Sequence, residues 1–128
     1  MKFIIFLSCF MTTALFAEMI TIDNMTSYPD KKHSMMGIQW ANSTQEINQK
    51  MIKTMYQSDE ESNKALSKAG KNTINVPSSA NYFRICVWGN DQTTPEYVTS
   101  WILIVPDKSY TLKQNNLYPA VLSSGSGC

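Results

Sequence analysis

HSMMGIQW places His33, Met35 and Met36 in one short segment, with Trp40 at its end. An imidazole beside thioethers is the ligand chemistry of Cu(I), and a nearby indole face adds a cation–π contact. On a strand, however, His33 and Met35 share one face, while Met36 points away with Ile38 and Trp40, as core residues do. Blue-copper chemistry needs two histidines, and the chain has one. A periplasmic copper carrier using His33, Met35 and Met36 is therefore the alternative reading, and no cofactor is assigned.

A second group is aromatic. Trp88 and Tyr97 bracket GNDQTTPE, a polar loop in which Asn90 and Asp91 carry hydrogen-bonding side chains. Rings flanked by donors and acceptors suit a protein or glycan surface, so Trp88, Asn90, Asp91 and Tyr97 form the predicted ligand-binding set. Trp88, Tyr97 and Trp101 suit core or cross-strand positions equally.

Catalytic chemistry has less to stand on. The chain has no GxSxG, HExxH, CxxC or glycine-rich phosphate loop. Asp59, Glu60 and Glu61 read as solvated charges at a helix start rather than as an acid/base pair. No catalytic residue is assigned, and an enzyme of unrecognised type is the third reading.

The cysteines depend on compartment. MKFIIFLSCFMTTALFA has one early positive charge, an apolar run and a small-residue end, the organisation of a secretory signal peptide cut after Ala17. The alternatives are a buried N-terminal segment or a lipoprotein cut before Cys9. Export to the periplasm or the exterior would remove Cys9 and leave Cys86 and Cys128, whose simplest fate is one disulfide. That bridge would tie down SSGSGC, a tail of flexible-linker composition. Pairing of Cys128 between chains and a free-thiol metal or redox site are the other possibilities.

Loss of Lys2 would bring the 11 basic residues level with the 10 acidic ones. A neutral chain with scattered charge lacks the basic footprint of a nucleic-acid or anionic-lipid binder. No run after the leader is long enough to span a bilayer. Residues 18–128 suit a single domain. Asn24 and Asn42 lie in NMT and NST sequons, relevant only in a eukaryotic secretory route.

The elements that must position these groups follow from period. MITID alternates as a first strand, and residues 35–41 as a second. NSTQEINQKMIKTMYQ pairs Ser43 with Glu46 in a capping box and sets Ile47, Met51, Ile52 and Met55 at helical spacing, predicting a helix over 44–57. SDEESNKALSKAGKN predicts a shorter helix or a loop, with Gly70 as its C-cap. TINV, NYFRICVW, VTSWILIV, SYTLK and LYPAVL read as strands. VTSWILIV is apolar enough to be central and covered on both faces, and Pro119 moves the last strand to an edge. The predicted fold is mainly β: an antiparallel β-sandwich or half-open barrel with a helical insertion over about residues 44–69. The leading functional reading is an exported binding module that recognises a protein or glycan outside the cytoplasm.

Overall fold

The computed structural model describes residues 18–56, 66, 69–90 and 93–120, the side chains of 52–56 apart. The leader, the second helical segment except Leu66, Ala69 and Gly70, the loop residues Asp91 and Gln92, and the tail with Cys128 lie outside the described residues.

Eight strands and one helix follow in the order β1 (Met19–Met25), β2 (Met35–Ala41), α1 (Thr44–Tyr56), β3 (Gly70–Asn75), β4 (Tyr82–Trp88), β5 (Tyr97–Val98), β6 (Ile102–Leu103), β7 (Ser109–Lys113) and β8 (Tyr118–Pro119). A short 3₁₀ turn, Gln114–Asn116, joins the last two. β3-β1-β7 form one sheet, and β2-β4-β5-β8 form the other with β6 also on β4. The two sheets pack against each other without closing into a barrel, so the fold is a β-sandwich with a small helix. It is not wholly antiparallel, because β1 pairs in parallel with β7. Parallel neighbours need a long crossover, and here the chain from β2 to β6 supplies it.

Period-two alternation builds the core. Ile20 and Ile22 of β1, Met36, Ile38 and Trp40 of β2, Phe83, Ile85 and Val87 of β4, and Leu112 of β7 fill the space between the sheets. The other face of β4 is buried too, through Arg84, Cys86 and Trp88. This explains why YFRICVW is nearly continuous in large side chains: both of its faces are covered.

One local feature matches the residues that signalled it. The Ser43 hydroxyl accepts from the Glu46 N–H at 3.2 Å, while the Glu46 carboxylate reaches back to the Asn42 N–H at 2.7 Å. α1 therefore starts where the capping box predicts. Gly70, expected to cap a second helix that lies outside the described residues, is the first residue of β3, with φ 107°, a region that favours glycine.

The strand expected over 98–105 is different. β5 pairs Cys86 with Val98, whereas β6 pairs Phe83 with Ile102, so the register shifts by one residue across Thr99–Trp101. This is a β-bulge. Thr99 compensates for the interrupted ladder: its hydroxyl accepts from the Ile85 N–H at 3.0 Å, and its own N–H donates to the Ile85 carbonyl at 2.9 Å. Beyond the bulge the strand is not covered on both faces, and Leu103 is 59% exposed.

Candidate functional site: the open seam of the sandwich

The two long sides of the sandwich are built differently. On the β2/β3 side, Leu66 is inserted into the core and its N–H donates to the Met36 carbonyl at 2.9 Å. On the other side, the smaller sheet stops at β7 while the larger one continues to β8. Between them lies a groove of about 350 Å³. Ile22, Phe83, Ile85, Ile102 and Leu112 form its floor. Hydroxyl and amide side chains, among them Thr99, Ser100, Asn115 and Asn116, stand around it, and among the described residues no charged side chain lines it.

Hydrogen bonds fix both ends of this groove. The Tyr110 hydroxyl donates to the Leu103 carbonyl at 3.2 Å and accepts from the Val105 N–H at 2.9 Å, so the ring bridges from β7 to β6. Tyr110 also packs edge-on against Phe83, with centroids 5.1 Å apart. At the β8 side, the Tyr118 and Ser100 hydroxyls lie 3.0 Å apart. An apolar floor with a few oriented polar groups, in a volume near the lower end of small-ligand sites, can hold an uncharged group by burial and direct it from the rim.

The predicted ligand-binding set is not assembled as a surface. Trp88 is 2% exposed and packs with Cys86, Val98, Tyr118 and Ala120. It is a core ring, not an exposed anchor, and its buried indole N–H has no partner among the described residues. Asn90 joins two loops: its N–H donates to the Lys32 carbonyl at 2.9 Å, its side-chain NH₂ to the Lys31 carbonyl at 2.5 Å, and its side-chain oxygen accepts from the Ser34 N–H at 3.2 Å. Tyr97 stacks on Tyr28 at 5.8 Å and 26°. Asp91 lies outside the described residues.

His33 completes that junction. Its Nδ1 lies 3.3 Å from Asp30 and its Nε2 lies 3.0 Å from Glu96. A neutral imidazole can donate from only one nitrogen, whereas the imidazolium serves both carboxylates. The His33 N–H holds the Asp30 carboxyl below its usual range, against a smaller opposing effect of desolvation, with the Lys32 N–H and the His33 ring adding to the lowering. The Glu96 carboxylate, with Tyr28 and burial behind it, raises the Tyr97 phenol above its usual range. This cluster clasps two loops to each other.

The copper ligand set is likewise not brought together. Met36 is 1% exposed in the core, where its sulfur accepts from the Asn24 side chain at 3.5 Å, and Met35 is 38% exposed. Both His33 nitrogens already face carboxylates. Among the described residues no group of three or more His, Cys, Asp and Glu side chains is placed to hold a metal ion. Asn24 is also buried, with its side-chain oxygen accepting from the Thr26 N–H at 3.0 Å, so it is closed to a glycan, while Asn42 is exposed. Cys86 is buried, and its expected partner Cys128 lies outside the described residues.

Two groups escaped the sequence reading. Arg84 is 1% exposed in mid-strand, with Nε donating to Gln39 at 2.6 Å and its guanidinium 4.8 Å from the Trp101 ring centre. The signal was a lone arginine in YFRICVW matched by a lone glutamine in MMGIQWA. Thr99 and Ser100 of the groove sit in an apolar run whose bulge nothing in the sequence announces. Among the described residues no helix is long and apolar enough to cross a membrane. No known protein family, characterised protein or solved structure matches the chain.

Proposed function

We propose that the chain is a binding module working outside the cytoplasm, in the periplasm or beyond, and that its ligand sits in the open seam between β7 and the β5–β6–β8 side of the larger sheet. The observation that carries this reading is the groove itself: core side chains form its floor, its rim is hydroxyl and amide, and its lining has no charge. Such a site favours an uncharged, largely apolar group, because an unpaired charge buried there would lose hydration without compensation. The apolar floor favours a protein segment over a glycan. The leader-like residues 1–17 support action after export.

The test is to titrate isotope-labelled protein, begun at Glu18, with panels of uncharged peptides and of glycans and to follow its side-chain resonances. Shifts centred on Ile85, Ile102 and Leu112 are expected, from peptides more than from sugars. Shifts confined to the Tyr28–Tyr97 cluster, or sugars acting alone, would move the site to the loops.

A further inference from the structure

We infer that the ligand of the open seam is an extended peptide segment of another protein, added as a further strand to the free edge of β7; this deepens the reading above and rests on it. Sheet arithmetic is the first reason. The smaller sheet has three strands, and on the β7 side it ends before the larger sheet does. Ile85 and Ile102 therefore face a position in the smaller sheet that no described strand occupies, and the groove is that position.

Backbone direction is the second reason. In the β1–β7 pairing the Thr21 N–H donates to the Lys108 carbonyl at 3.1 Å, with Thr21 opposite Ser109 and Ile22 opposite Tyr110. Alternation along a strand then turns the main-chain groups of 108, 110 and 112 toward β1 and those of 109, 111 and 113 away from it. Ser109 and Thr111 are exposed, and Thr111 lines the groove. At Lys113 the outward N–H is already taken by the Asn116 side-chain oxygen at 2.7 Å, which sets where added pairing must stop. An unpaired strand edge beside an apolar groove is the geometry of β-strand addition, in which main-chain bonds supply affinity and alternate side chains fill the groove.

Charge is the third reason, and it selects the occupant. Since no charged residue lines the groove, the matching segment is uncharged, with apolar side chains at alternate positions and polar ones between them. β8 itself runs along β5 away from Ser100, since the Ala120 N–H donates to the Glu96 carbonyl.

A blocked peptide of about seven alternating valines and threonines, long enough for one strand, is the probe. Three versions separate the possibilities: the plain peptide, one with N-methyl groups on alternate amides to prevent strand pairing, and one with lysine in place of valine. With the full exported chain the plain peptide is expected to slow hydrogen exchange at the Ser109 and Thr111 amides by about tenfold or more and to shift the Ile102 methyl resonances. The methylated and lysine versions are expected to bind at least about tenfold more weakly. Thr111→Pro, which removes one outward donor from an edge position where proline is tolerated, should weaken the plain peptide similarly while leaving the thermal melt nearly unchanged. Equal binding of plain and methylated peptides at Ile102 would overturn strand addition and leave the groove as an apolar site. No shift at Ile102 with either peptide, while other uncharged ligands shift it, would overturn the peptide as occupant. Silence of Ile102 toward every probe would overturn the groove reading as well. Protection of Ser109 and Thr111 that rises with protein concentration without peptide would make a second copy the occupant and overturn a foreign segment.

Discussion

The β2/β3 side and the β7/β8 side of the sandwich border the same core, yet only one of them is sealed. Leu66, 4% exposed, closes the first from a segment that belongs to neither sheet. The second is spanned at one point by the Tyr110 hydroxyl and is otherwise edged by Thr99, Ser100, Asn115 and Asn116. Apolar closure is stabilising in proportion to the area removed from water, whereas a hydroxyl rim contributes little net stability and stays exchangeable with a ligand. On the function proposed above, the difference gives stability to one side and recognition to the other.

That division can be strained in several ways. The largest effect concerns the chain beyond β8. If Cys86 and Cys128 are joined, mass analysis under non-reducing conditions should show the protein two hydrogens lighter than its reduced form. Closing a loop of about 42 residues should then be worth up to about 4 kcal/mol on reduction. Tyr118 and Ala120 already pack around Cys86, so the tail starts on the correct face. Two free thiols would remove the staple and leave the β8 edge held by its pairing with β5 and by packing.

Next is the direct contrast between the sides. Leu66→Ala should lower unfolding stability in denaturant by about 3 kcal/mol, as expected for a buried leucine. Ile102→Ala on the half-buried groove floor should cost about 1 kcal/mol. Equal losses would mean that the seam carries as much of the fold as the closed side. Thr99→Val lies between them: it keeps the shape but deprives the buried Ile85 N–H of its acceptor, for a loss of about 2 kcal/mol. Thr99→Ser, which keeps the hydroxyl, should recover most of it.

Smallest is the loop clasp, where Asp30 and Glu96 flank His33 at the surface. The folded-state pKa of Asp30 is lowered, so its contribution is present above the usual carboxylate range and lost as pH falls through that range toward the folded value. Asp30→Asn should remove that part of the acid-side loss, seen as a flatter stability profile below about pH 4. An unchanged profile would show that the clasp adds nothing measurable. Tyr97 has the opposite sign: its raised pKa makes its contribution present below about pH 10 and lost above that.

Much of this architecture was legible in the residues. MMGIQWA and SYTLK alternate cleanly and are strands with the boundaries their period implies. Ser43 and Glu46 marked the helix start. What stayed hidden was what depends on neighbours in space. VTSWILIV is apolar enough for a central strand, but a one-residue register shift against β4 breaks it. Trp88 suited a core position as well as the anchor role, and the burial of both faces of β4 decides for core. The groove is hardest to foresee, because it arises where no described strand extends the smaller sheet beyond β7, and that arrangement depends on contacts in space rather than on period.

One measurement addresses the division of labour most directly: methyl relaxation in protein begun at Glu18 with a freely diffusing, uncharged nitroxide. Such a probe, small and mostly apolar, should enter the open seam and be excluded from the sealed one. The Ile102 methyl signals should broaden strongly, while those of Leu66 and Val76, both buried, should keep their linewidths. Equal protection of all three residues would contradict an accessible seam, and broadening at Leu66 equal to that at Ile102 would contradict the sealed one.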